Sequence, residues 1–217
     1  MTDEAVALNV KDELFWDPKV DSEEIAVSAD DGMITLRGTV GSFRQKRDAK
    51  KAAERVHGVV YVDNELSVRI LTKSRRADAD LRGDVLQAML LDSLIPTTVD
   101  AKIQDGYVTL SGAVDWQYQR DEATFVAGNV LGVTGVDNEI LVGGDDAHTA
   151  GEVSDDIQKA FKRDAKIDAD SLAVAASAGT VTLTGSVRSW SEHDAALVAA
   201  WAAPGVTTVN DRLVVTY

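Results

Sequence analysis

YVTLSGAV, residues 107–114, is the stretch on which the fold turns. Read as a strand, it puts Val108, Leu110 and Val114 on one face, because side chains alternate along extended backbone. Gly112 falls on that same face, where a large apolar residue is expected. Glycine weakens a strand interior and marks either a bulge or a close backbone approach. MITLRGTV (33–40) and TVTLTGSV (180–187) carry the same pattern. A feature that occurs three times belongs to the architecture.

The repeat is regular. Strand glycines fall at Gly38, Gly112 and Gly185, hairpin glycines at Gly32, Gly106 and Gly179, and a third set at Gly58, Gly132 and Gly205. Each set is spaced by 74 and then 73 residues. VDNEL (62–66) returns as VDNEI (136–140) and, more loosely, as VNDRL (209–213). Self-similarity on a fixed period is read before length is turned into domains.

Each unit reads as αββαβ. The first helix shows apolar residues at i, i+4, i+7 and i+8: Leu81, Val85, Ala88 and Met89 in the second unit, Val153, Ile157, Ala160 and Phe161 in the third. Trp16, in FWDP, is expected to pack on the end of the first helix. A strand follows, then a tight turn at Asp31-Gly32, Asp105-Gly106 or Ala178-Gly179, where glycine accepts a positive φ. The glycine-bearing strand comes next, then a second helix whose inward positions are mostly alanine: Ala49, Ala52, Ala53, then Ala123, Ala127, then Ala196, Ala199, Ala200, Ala203. The Gly-Val pairs at 58, 132 and 205 are expected to end this helix as C-caps. Alanine over glycine predicts close packing of helix on strand as the reason for Gly38, Gly112 and Gly185; a backbone surface left bare for a ligand is the other reading.

Composition narrows the function classes. The chain has 217 residues, 45% of them hydrophobic, and no cysteine, which removes disulfides, thiolate metal sites and cysteine nucleophiles together. No signal-like segment or span of about 18 apolar residues is visible, so the sequence reads as cytoplasmic, at most peripheral to a membrane. A net charge of −14 argues against a nucleic-acid partner.

The unit G-x-V-T-L-x-G-x-V, an alanine-rich helix, G-V and V-x-N-x-L resembles the BON domain. The resemblance covers nearly the whole chain, with units at 4–71, 77–143 and 150–217. It implies an α+β fold of three tandem αββαβ units, each a three-stranded mixed sheet with two helices on one face. It also implies a non-enzymatic, stress-associated role in binding phospholipid. A relative that joins a BON domain to a LysM domain and binds potassium implies a cation-responsive alternative. The third unit departs from the pattern with Asn210-Asp211, so Asp211 occupies the column of Asn64 and Asn138.

Charge is uneven among the units. Residues 1–71 hold 14 acidic and 10 basic side chains, residues 77–143 hold 11 and 3, and residues 144–217 hold 11 and 6. The second helix of unit one concentrates Arg44, Lys46, Arg47, Lys50, Lys51 and Arg55 away from its alanines, which makes them candidate contacts for lipid phosphate or another anion. With Asp48 and Glu54 interspersed, the same face also reads as an ordinary solvated surface. Matching columns of unit two hold Tyr118, Arg120, Asp121, Thr124, Phe125 and Asn129, so the fold does not require the charge. The linker cations Lys73, Arg75 and Arg76 add to it.

Aromatic residues mark the start of each second helix: Phe43, Trp116 with Tyr118, and Trp190. They either staple the helix start or dip into a membrane interface. Asn64 and Asn138 lie on an inward strand face and must be hydrogen-bonded, as a bulge or loop contact or as an ion ligand. Asp145, Asp146, Asp155 and Asp156 sit where carboxylates cap helices and lack calcium-loop spacing. His57, His148 and His193 occupy different columns, and no nucleophile elbow, phosphate loop, zinc motif or dinucleotide fingerprint is present. The reading is a binding module without catalytic residues, cofactor or metal. Its candidate partners are a phospholipid surface, a monovalent cation, and a protein or a second copy.

Overall fold

The computed structural model describes residues 2–70, 76–143 and 150–216. The linker positions Lys73, Arg75, Asp145, Asp146 and His148 singled out above lie outside these residues. The chain is α+β and repeats αββαβ three times. One compact unit takes in repeat one and most of repeat two, and a second takes in residues 113–120 and the chain from Leu141 onward, which includes repeat three.

In repeat one, α1 (Asp3–Trp16) precedes a hairpin of β1 (Ile25–Asp30) and β2 (Met33–Val40). Helix α2 (Phe43–Glu54) then crosses to β3 (Tyr61–Asn64) and the short β4 (Ser67–Val68), both parallel to β2. Repeat two follows with α3 (Asp78–Leu90), β5 (Asp100–Gln104), β6 (Tyr107–Ser111), β7 (Ala113–Val114), α4 (Gln117–Gly128), β8 (Gly135–Asn138) and β9 (Leu141–Val142). Repeat three holds α5 (Ala150–Arg163), β10 (Leu172–Ser177), β11 (Thr180–Val187), α6 (Trp190–Trp201) and an unbroken last strand, β12 (Thr208–Val215). In each sheet the glycine-bearing strand is central, antiparallel to the strand before it and parallel to the strand after the crossover helix.

Both helices cover one face of the sheet. The core of repeat one is Val6, Val10 and Leu14 of α1, Ile34, Leu36 and Val40 of β2, Ala49, Ala52 and Ala53 of α2, and Val59, Val62 and Leu66 beyond them. Repeat three buries the matching residues Val153, Ile157 and Phe161 of its first helix and Val181, Leu183 and Val187 of its central strand. Second helices begin with reciprocal caps. Ser42 Oγ accepts from the Gln45 N–H at 3.2 Å, while Gln45 Oε1 accepts from the Gly41 N–H at 2.9 Å. Ser189 and Glu192 do the same in repeat three, and buried Glu192 also accepts from the Asp168 N–H at 2.7 Å.

Glycines prove essential for a reason other than the one read from sequence. Gly38, Gly112 and Gly185 have φ of 129°, 126° and 130°. The side chain each lacks would not meet the alanine helix. It would land on the carbonyl oxygen of Glu24, Thr98 or Ser171, just before the neighbouring antiparallel strand. The alanines do pack on the sheet, but the glycine answers to backbone across the hairpin. Gly58, Gly132 and Gly205 also differ from expectation. Helix α2 ends at Glu54 with Arg55 as its C-cap, and Gly58 sits third in a turn closed by the Val59 N–H on the Val56 carbonyl at 3.2 Å. That position takes a positive φ, here 92°. In repeat three the same turn reads Ala203-Pro204-Gly205-Val206, the residue order such a turn favours. Trp16 does not pack on its helix end. It is 80% exposed, with Phe15 edge-on at 6.2 Å.

Gly112→Ala is expected to destabilise the protein by about 2 kcal/mol or more, because even one methyl meets a carbonyl oxygen at a φ that L-residues avoid. Urea unfolding of the full chain checks this. An unchanged midpoint at unchanged slope would contradict the backbone-crossing explanation.

Candidate functional site

Helix α2 carries the densest run of cations, and the structure sorts its six basic residues into three groups. Arg55 is held within its own repeat. It donates to Glu13 Oε1 and Asp17 Oδ2, each at 2.8 Å, and clamps α2 to the end of α1. That hydrogen bond holds the Asp17 carboxyl below its usual range, against a burial that pushes it up. Arg44 and Lys50 lie 3.6 Å from Asp48 and Glu54, one turn along the helix. Such pairs at a solvated helix surface are weak and leave both cations open to water.

Arg47 is turned away from solvent onto repeat two. Its Nη2 donates to Asn129 Oδ1 at 2.9 Å, and its guanidinium stacks over the Phe125 ring at 4.6 Å from the centroid. Phe43 lies beside it against Gly128, whose bare Cα makes room for the ring. Burial draws the Arg47 pKa below the ordinary arginine value, although an arginine in this setting stays charged. Arg47 is therefore a contact between helices α2 and α4 within the first compact unit.

Lys46 and Lys51 remain. Among the described residues their side chains take part in no ion pair. With Lys50 between them, whose pairing to Glu54 is the weak kind found at a solvated helix surface, they form a cationic patch. The structure thus keeps four of the six residues, Arg44, Lys46, Lys50 and Lys51, available at the surface, and assigns Arg47 and Arg55 to holding helices together.

The inward asparagines are bonded as the bulge reading expects. Asn64 Nδ2 donates to the Lys46 carbonyl at 2.7 Å, and its Oδ1 accepts from the Leu66 N–H at 3.3 Å, at the break between β3 and β4. Asn138 accepts from the Ile140 N–H at 3.0 Å and donates to Thr124 Oγ1 at 2.6 Å. Asp211 cannot donate. Its Oδ1 still accepts from the Leu213 N–H at 3.0 Å, but its Oδ2 lies 2.8 Å from His193 Nε2. His193 stands on α6 in the column of Lys46 and Arg120, so the loss of a donor on the strand is matched by a new donor on the helix. Its ring packs edge-on against Trp190 at 4.8 Å, and Asp194 Oδ1 lies 3.4 Å from Nδ1. Burial acts to lower the His193 pKa, yet the two carboxylates outweigh it and the net shift is upward.

The aromatic residues at the helix starts separate. Trp190 packs on the core of repeat three and Phe43 on Gly128, whereas Trp116 and Tyr118 are exposed. Neither the Arg47 contact nor the Arg55 clamp was visible in a single unit's sequence. The Asp211–His193 pairing was signalled by two coincident departures from the repeat. Among the described residues no helix is long and apolar enough to cross a membrane.

Comparison with known proteins fits this architecture. The BON domain family model matches residues 2–70, 77–144 and 149–217. The chain belongs to the BON-domain family. A relative, osmotically-inducible protein Y of Escherichia coli (strain K12), is 34% identical over 145 residues, covering 64% of this chain and 72% of that protein. Among solved structures, CdsD, a structural protein of the type III secretion system of Chlamydia trachomatis, aligns over 98% of this BON protein and 92% of its own chain at 13% identity. The C-terminal domain of CdsD aligns over the full length of both chains at 12% identity. Both have a TM-score of 0.28, too low to carry an argument.

His193 gives a pH signature with a definite sign. Its folded pKa is raised, so the stability it contributes is complete below the ordinary histidine value of about 6.5 and is lost as pH rises through the elevated value. The melting temperature of the wild type is expected to fall across that range. His193→Gln is expected to flatten the fall, and equal slopes in the two proteins would contradict the pairing.

Proposed function

We propose that this BON protein is a non-catalytic, osmotic-stress-associated module that binds phosphate-bearing lipid surfaces through helix α2 of repeat one. The observation that carries the proposal is the cluster Lys46, Lys50 and Lys51, in which Lys50 alone has an ion-pair partner among the described residues, in a chain of net charge −14. In an acidic molecule such a cluster is a local electrostatic target for anions. Matching columns hold Arg120, Thr124 and Phe125 in repeat two and His193, Leu197 and Val198 in repeat three, so the charge is peculiar to one repeat.

Two further features support a surface over a small anion. The cations are spread along a helix face and do not converge on a pocket. Phe15 and Trp16, at the end of α1, are large exposed aromatics, the residue type that settles at the boundary between headgroups and acyl chains. The osmotic association rests on the relative named for osmotic induction.

The test is co-sedimentation with vesicles of graded anionic lipid content, at low and moderate salt. Each lysine near an anionic surface contributes about 1 kcal/mol, so Lys46→Glu, Lys50→Glu and Lys51→Glu together are expected to weaken binding roughly 100-fold or more. Binding by the parent should also fall with added salt. Binding that ignores both the charge reversal and the salt, or no binding at low salt, would contradict this function.

A further inference from the structure

Repeats one and two contact each other through their second helices, and the corresponding positions of the second helix of repeat three include an exposed valine. The contact between α2 and α4 uses Arg47, Phe125 and Asn129. At the repeat spacing these positions become Asp194, Val198 and Ala202 of α6. All three line an open groove of about 790 Å³ between α5 and α6, and Val198 is 69% exposed.

Repeat three lacks the clamp of repeat one. There, Arg55 bridges α2 to Glu13 and Asp17. Ala202 stands in the place of Arg55 and Ala160 in the place of Glu13, so the furrow between the helices has an alanine floor and no bridge. Its charge is divided. Arg163 and Lys166, at the end of α5, outnumber Asp164 on one rim and are in no ion pair among the described residues, while Asp194 of α6 is largely exposed on the other rim.

We propose that this groove of repeat three is a dimerisation surface, and that its occupant is the same groove of a second copy. A two-fold contact requires a patch complementary to itself, with residue i meeting j and j meeting i. A furrow with a small-residue floor, one protruding valine, and cations facing an acid across it meets that condition. It lets each Val198 seat on the other copy's alanines and each Asp194 face the other copy's Arg163 and Lys166. Second helices already supply one contact between repeats, where the start of α2 (Phe43, Arg47) meets the end of α4 (Phe125, Gly128, Asn129). A peptide or other protein would fill an apolar furrow but would not require its charges to be self-complementary.

Sedimentation velocity of the full chain over a range of concentrations tests the proposal, at moderate salt so that the net charge of −14 is screened. The expected result is a mass that rises from monomer to dimer with concentration. Val198→Glu and Asp194→Lys should each abolish the rise with the thermal melt retained. Combining Asp194→Lys with Arg163→Glu and Lys166→Glu should restore it. Because the chain has no cysteine, Val198→Cys adds a single thiol that should cross-link between copies on oxidation, while Leu8→Cys, exposed on α1, should not. Monomer mass at every concentration, assembly that survives Val198→Glu, or equal cross-linking at both thiols would overturn the proposal.

Discussion

Each repeat depends on one backbone crossing. The central strand passes the incoming end of its antiparallel neighbour so closely that a carbonyl oxygen occupies the space of a Cβ. Only glycine fits, at a φ near 130° that L-residues avoid. The crossing keeps the buried face of the central strand in phase, with Ile34 and Leu36 before it and Val40 after it all in the core. The last strand can then run parallel to the whole central strand, as it does without a break in repeat three. Backbone geometry thus holds the frame, and most side chains outside the core are released from that duty.

The second helix shows how that freedom is used. Two of its inward alanines, Ala49 and Ala53, recur as Ala123 and Ala127 and as Ala196 and Ala200, but its outward positions change. The column of Arg47 holds Asp121 in repeat two and Asp194 in repeat three. In repeat one this face joins repeat two through Arg47 and closes on α1 through Arg55. Lys46 and Lys51 stay unpaired among the described residues, and with Lys50 they account for the proposed attraction to anionic lipid. In repeat three the face is apolar, small and open, which suits a copy of itself. Burying Arg47 against an aromatic ring and an amide carries a desolvation cost that stacking and the Nη2 hydrogen bond offset in part, since its buried Nη1 has no hydrogen-bond partner among the described residues. Leaving Lys46 and Lys51 in water carries no such cost.

Much of this was legible in the sequence, for physical reasons. Periods of 3.6 and 2 located the helices and strands, and the Asp-Gly turns placed the hairpins. The regular spacing made each repeat a check on the others. What stayed hidden was nonlocal. The crowding partner of Gly112 is the carbonyl of Thr98, and nothing in YVTLSGAV says that this oxygen is near. Arg55 reads as one more surface cation until folding brings Glu13 and Asp17 to it. Arg47 reads the same way until Phe125, in another repeat, covers it. Trp16 misled in the opposite direction: its place at a helix end suggested packing, but the apolar positions of α1 that meet the core are Val6, Val10 and Leu14. The exchange of Asn for Asp at 211 was visible, and so was His193. Only the parallel register of β12, which sets Asp211 opposite Leu183 beneath α6, makes them a pair.

The crossing can be tested by handedness alone. A peptide of residues 178–217 made by synthesis can be joined to the rest of the chain through a cysteine at position 178 and desulfurised to the native Ala178. Position 185 can then carry glycine, L-alanine or D-alanine. D-residues favour positive φ, and a D-methyl points away from the space that the Ser171 carbonyl fills. The account predicts that the D-alanine protein melts close to the glycine protein while the L-alanine protein melts well below it. Equal losses for both hands would contradict it, and would return the strand glycine to the role of a small residue packed beneath an alanine helix.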